Sequence, residues 1–123
     1  MRYSFKNEMD VDGILIGNEK PCYIIAEIGI NHNGDVALAK KLIDVATNAG
    51  ANAVKFQKRN LESIYQQKIL ENPSLDSQGT EILIDVLNNV EFGEDDFQEI
   101  VNYCKEKKIT FLCTPWDIPS VDF

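Results

Sequence analysis

Positive charge is scarce in this chain: 12 Lys and Arg stand against 20 Asp and Glu, a net charge of -8. Proteins that grip phosphate backbones normally carry a basic patch, so nucleic acid is not an expected partner. Long apolar runs are missing as well, and none approaches the roughly 20 residues of a membrane helix. The opening residues MRYSFKNEMD are polar and charged, unlike a secretory signal. Histidine occurs once, at His32, and the three cysteines, Cys22, Cys104 and Cys113, form neither a CxxC pair nor a metal-ligand spacing. A metal held by this stretch alone is therefore not expected. Scattered thiols in odd number fit a reduced, cytoplasmic setting. Gly29 and Gly34 do not complete a dinucleotide fingerprint, and there is no P-loop.

What is present is a globular composition, 44% apolar over 123 residues, enough for one ordinary domain. Tyr3 to Phe5 and Ile14 to Ile16 read as the strands of a small hairpin over residues 1–20. Cys22 to Ile28 is a first strong strand. Asp35 is a good helix N-cap, with Leu38, Leu42, Val45, Ala46 and Ala49 at helical spacing and Gly50 as the terminator. Ala53 to Gln57 is a second strand. A long polar excursion runs from Lys58 to about Phe92, with a short helix suggested by Leu83, Val86, Leu87 and Val90. Gly93 then leads into a helix with acidic residues at its start (Glu94, Asp95, Asp96) and lysines at its end. Phe97, Ile100, Val101 and Cys104 make its apolar stripe. Ile109 to Thr114 is a third strand, finishing in CTPWD.

Strands alternating with helices call for a parallel sheet. Three such strands with two helices leave unpaired edges. The expected fold class is therefore α/β: an N-terminal β-hairpin, then the first β-α-β-α-β portion of a TIM (β/α)8 barrel, truncated. Residues 21–123 form the incomplete barrel domain, a full barrel being about 250 residues.

The most informative segment is IIAEIGINHNGD, Ile24 to Asp35, where an apolar strand delivers one carboxylate, Glu27, to a βα loop. Enzymes of this architecture build active sites at such strand ends. Alternation sends Glu27, Lys55, Gln57 and Thr114 inward while the apolar neighbours face the helices. An inward lysine needs a partner or a use. It can pair with Glu27, bind an anionic ligand such as phosphate or carboxylate, or form a Schiff base. Gln57 and Thr114 can orient a polyhydroxy substrate or satisfy nearby backbone. His32, between Asn31 and Asn33, reads as a turn residue. Trp116 can stack on a substrate or close the barrel mouth.

The series IIAEIGINHNGD, AVKFQ and LCTPWD, with KFQKR and EFGEDDFQEI, closely resembles the opening of the sialic acid synthase family. That resemblance implies condensation of phosphoenolpyruvate with an N-acetylated hexose, with release of phosphate. It also implies a divalent metal, usually manganese, whose histidine ligands lie on later strands, and a homodimer of the full-length protein. By position, Lys55 and Thr114 match residues that hold phosphoenolpyruvate. Gln57 matches one that contacts the acetamido sugar, Glu27 an acidic catalytic residue, and Asp117 the substrate-binding end of the third-strand motif. That motif is often STPFD in the family, so Cys113 and Trp116 are departures. The alternatives are a noncatalytic truncated module and another barrel synthase that uses phosphoenolpyruvate.

Overall fold

The computed structural model describes residues 7–72 and 80–123. The proposed strand Tyr3 to Phe5 lies outside them. The hairpin is instead built from β1 (Glu8–Val11) and β2 (Ile14–Gly17), paired antiparallel with Val11 opposite Ile14. Asp12 and Gly13 make the two-residue turn with φ of 52° and 82°, and the Asp10 carboxylate accepts the Gly13 amide at 3.0 Å. Asp-Gly is a strong signal for such a turn, and it places the partner strand directly before the turn.

The larger sheet is parallel, in the order β3 (Ile25–Gly29), β4 (Ala53–Lys58), β5 (Thr110–Pro115). The first strand starts three residues later than the expected Cys22. The Asn52 side chain takes the Ile24 amide at 2.7 Å, while the Ile24 carbonyl accepts from Asn52 and Ala53, which closes the strand entry before regular pairing begins.

Helix α1 (Val36–Asn48) follows β3, and the Asp35 carboxylate accepts the Ala37 and Leu38 amides at 2.7 and 3.1 Å. Its buried line is Ala39, Ile43 and Ala46; Val45 and Ala49 are exposed, contrary to the expected stripe. The two alanines bring the helix close to the sheet, and the bulkier Leu42 flanks the contact half-buried. Past β4 come two short helices, α2 (Leu61–Ile64) and α3 (Gln67–Glu71), then α4 (Thr80–Val90). Ile84, Leu87 and Val90 are the buried residues there, and Val86 faces outward. Helix α5 (Glu94–Lys107) buries Phe97, Ile100 and Cys104, with Val101 half-buried. Asp96 accepts the Gly93 amide at 3.0 Å at its start. A last turn, α6 (Pro119–Asp122), follows β5.

One side of the sheet carries the core. Ala26, Ile28, Val54, Phe56 and Phe111 pack against Ile43 and Ala46 of α1 and Phe97, Ile100 and Cys104 of α5. The two helices are also clasped at their surface, where Asp44 accepts the Tyr103 hydroxyl at 3.0 Å and pairs with Lys107 at 2.6 Å. Burial pushes the Cys104 thiol up to about 11, so it stays protonated and acts as a small core residue. Among the described residues, no helix is long and apolar enough to cross a membrane.

Candidate active site

The strand register brings the inward residues together. Glu27 lies opposite Lys55, and Lys55 opposite Leu112; one step on, Gln57 lies opposite Thr114. Registered residues of a parallel pair share a face, so Glu27, Lys55, Gln57 and Thr114 form one polar patch near the strand carboxyl ends. Lys55 Nζ sits 2.7 Å from Glu27 Oε2, and both side chains remain partly open to solvent. The ion pair foreseen as one option for Lys55 is thus present. Open pairs of this kind are worth about 0–1 kcal/mol, weak enough for a multiply charged anion to compete for the lysine.

A bulge shapes the upper edge of this patch. Between Glu27 and Gly29 the register slips, so that Gly29 stands opposite Phe56 with φ of 57°. The slip carries the chain over the end of β4, where a side chain at Gly29 would meet the Gln57 amide. The loop then brings His32 against Phe56 and Phe92. His32 lies in the turn, as expected, but it is also 2% exposed, stacked on Phe92 with centroids 3.9 Å apart. Its Nδ1 accepts the Gly34 amide at 3.2 Å. Burial lowers its pKa, opposed by a hydrogen bond to the Gly29 backbone, so the imidazole is a neutral packing element. Gly34, at φ of 73°, lets this loop touch the end of α4, because a Cβ there would run into the Asn89 carbonyl.

Three residues outside the expected set complete the strand ends. Arg59, whose side chain is only 9% exposed, donates from Nη2 to Gln57 Oε1 and from its backbone amide to Glu91 Oε2 at 3.2 Å. Its Nη1 faces Glu91 Oε1 at 3.5 Å. The Trp116 ring lies over the guanidinium at 4.4 Å, which gives the departure from phenylalanine a definite contact. Lys58 reaches the Phe92 carbonyl at 2.8 Å and Glu91 at 3.7 Å. The two ends of the long excursion are thereby clasped beside the patch. Charges at both of its borders, Lys58 and Arg59 against Glu91, were the sequence signal for this closure.

Asp117 is placed differently from the other four. Its Oδ2 accepts the Asn60 amide at 2.7 Å and its Oδ1 the Ser120 amide at 2.8 Å. Partial desolvation works to raise its pKa, but hydrogen bonds from Asn60 and Ser120 outweigh it and hold the carboxyl below its ordinary value. Oδ2 therefore ties the loops after β4 and β5 to each other, while Oδ1 fixes the turn that leads into α6. A separate cavity of about 380 Å³, lined by Phe97, Phe111, Cys113 and Phe123, opens on the helix-facing side, away from the patch. Cys113 lies on that side with Phe111, as alternation requires. No group of three or more His, Cys, Asp or Glu able to hold a metal ion occurs among the described residues.

Known proteins share both this sequence and this arrangement of strands. The chain is 39% identical over 113 residues to the N-acetylneuraminate-9-phosphate synthase of Mus musculus, covering 90% of the chain and 31% of that protein. It is 37% identical over 105 residues to the N,N'-diacetyllegionaminic acid synthase of Campylobacter jejuni, covering 84% of the chain and 31% of that enzyme. The chain thus spans about a third of the length of the curated relatives it matches. Among solved structures, the sialic acid synthetase of Leptospira borgpetersenii superposes with a TM-score of 0.76 at 35% identity, covering 94% of the chain and 36% of that protein. The spore coat polysaccharide biosynthesis protein SpsE of Bacillus subtilis gives 0.68 at 33% identity, over 94% of the chain and 29% of that protein. The family model for NeuB matches residues 42–123, a stretch that begins in α1 and includes Lys55, Gln57 and Thr114. With its strand order, its patch of polar strand-end residues and these similarities in agreement, the chain belongs to the NeuB family.

Proposed function

We propose that this chain supplies part of the active site of a nonulosonic acid synthase, an enzyme that joins phosphoenolpyruvate to an N-acetylated hexose. In this reading the three parallel strands open an eight-stranded barrel, and the reaction space lies over the carboxyl ends of β3, β4 and β5. The observation that carries it is the single polar face formed by Glu27, Lys55, Gln57 and Thr114. The methylene carbon of phosphoenolpyruvate bonds to the sugar aldehyde carbon. Water then adds to the former enol carbon, and inorganic phosphate leaves with the C–O bond.

Each residue has a role suited to its chemistry. Lys55 exchanges its weak pairing with Glu27 for the phosphate or carboxylate of phosphoenolpyruvate. The Thr114 hydroxyl hydrogen-bonds the same substrate, and Gln57 positions the sugar. Glu27, released from Lys55, orients substrate or water. Asp117 acts on the substrate indirectly, by holding the two strand-end loops together. A divalent cation such as manganese belongs to this reading, although the described residues do not themselves form its site. So do a homodimer and a cytoplasmic location.

The test is phosphate release by the full-length gene product, supplied with phosphoenolpyruvate and manganese. Turnover is expected with N-acetylmannosamine or a diacetamido hexose, and Lys55→Ala should raise the KM for phosphoenolpyruvate about tenfold or more, the loss of one charge-assisted contact. Turnover with a simple aldose phosphate alone would overturn the reading. Unchanged turnover of Lys55→Ala at low phosphoenolpyruvate would overturn the role of that lysine.

A further inference from the structure

Gln57 has an amide whose two ends do opposite things, and its neighbour decides which end is which. A guanidinium only donates, so the Gln57 atom that meets Arg59 Nη2 is the carbonyl oxygen, Oε1. The amide nitrogen is left on the other side, toward Gly29, where it donates to no group among the described residues. Arg59 is itself held from three directions. Glu91 accepts from both its backbone and its guanidinium, Trp116 covers its face, and the Trp116 amide donates to the Lys58 carbonyl at 3.0 Å. The Asp117 carboxylate fastens the same two loops one residue farther on, through the Asn60 amide. A lysine could not do this, because only a planar fork can meet an amide and a carboxylate while stacked under an indole.

We propose that Arg59 is a positioning residue that locks the Gln57 amide with its donor facing the substrate. The position therefore reads a hydrogen-bond acceptor on the sugar. This rests on the synthase reading above. In an N-acetylated hexose the acetamido carbonyl accepts without being able to donate, so it is the group matched to a fixed N–H donor. The amide would otherwise be free to turn over and accept from an N–H or hydroxyl, and the lock removes that ambiguity.

The polarity is tested with Gln57→Glu in the full-length protein. A carboxylate keeps and strengthens the Arg59 contact, yet presents no donor. Gln57→Glu is expected to unfold at or above the wild-type temperature while its KM for the N-acetylated hexose rises about tenfold, as one lost hydrogen bond implies. Its KM for phosphoenolpyruvate should stay within about twofold of wild type. Arg59→Met should raise the same sugar KM, and adding Gln57→Ala to it should cost less than Gln57→Ala costs alone. If Arg59→Met does not fold, Arg59→Lys provides the same comparison, keeping the charge but losing the planar fork that holds the amide. A Gln57→Glu enzyme that binds sugar as wild type does would overturn the inference, as would additive effects of the double variant. So would KM values for both substrates rising together, which is what a merely structural role would give. Wild-type protein with no turnover on any acetamido hexose removes the synthase reading and this inference with it. Ordinary turnover with an unmoved Gln57→Glu removes the inference alone.

Discussion

His32 illustrates how one residue can carry a fold without carrying chemistry. Packed flat against Phe92 and accepting a backbone amide at Nδ1, it has no room for a second proton there. Its burial lowers its pKa below the ordinary 6.5, and the unfolded chain therefore takes up a proton first as pH falls. The stabilising contribution is complete above about pH 6.5, the unfolded-state value, and is lost as pH falls through the lower folded value. Denaturant midpoints measured between pH 7.5 and pH 5 should fall with acidity, and His32→Phe should flatten that slope. An unchanged slope in the variant would assign the effect to other groups. Glu27 and Lys55 are the contrasting case, an open pair whose weakness suits them to exchange partners. From sequence, alternation was enough to put Glu27, Lys55, Gln57 and Thr114 on one face. It could not show that Asp117 gives one oxygen to the Asn60 amide, because that donor lies in a loop distant in sequence, while the other oxygen takes the nearby Ser120 amide.

At the scale of elements, local signals worked where the local free energy is large. Asp35 caps α1 through two amides, as its side chain and position imply. Asp35→Ala should cost about 1 kcal/mol, read as a lower urea midpoint with an unchanged m-value. A loss below a few tenths of that would mean α1 is held by packing alone. The face that a helix buries was less legible. In α1 the apolar residues encircle more than one side, so Leu42 and Val45 competed with Ile43 for the core, and the side that also carries the small Ala39 and Ala46 came closest to the sheet. In α4 the same ambiguity set Val86 against Ile84. The hairpin pairs β2 with the charged Glu8–Val11, a strand that apolar alternation does not reveal and whose register the Asp-Gly turn beside it sets.

For the molecule as a whole, the sheet sets the behaviour. Among the described residues β3 and β5 each pair on one side only, and Ile24, Ile25, Trp116, Ile118, Val121 and Phe123 are exposed nearby or at the strand ends. Open edges beside apolar side chains favour association. The 123-residue chain on its own should show a sedimentation coefficient that rises with concentration and a broad unfolding transition. A sharp, concentration-independent monomeric transition would show that two helices and a clasped excursion are sufficient. The clasp itself is a whole-chain feature: Lys58 and Arg59 meet Glu91 and Phe92 across more than thirty intervening residues. Closing so long a loop costs little more entropy than closing a shorter one, since the cost grows only with the logarithm of length.

The sequence by itself determined the alternation of strands and helices, the inward set of polar residues and the family resemblance, because each is written in local period or in short motifs. Tertiary structure alone decided that Arg59 orients Gln57, that Trp116 covers Arg59, that Asp117 ties two loops and that His32 belongs to the core. Each of these depends on groups brought together from separate strands and loops, and burial and hydrogen-bond partners exist only once the chain has closed.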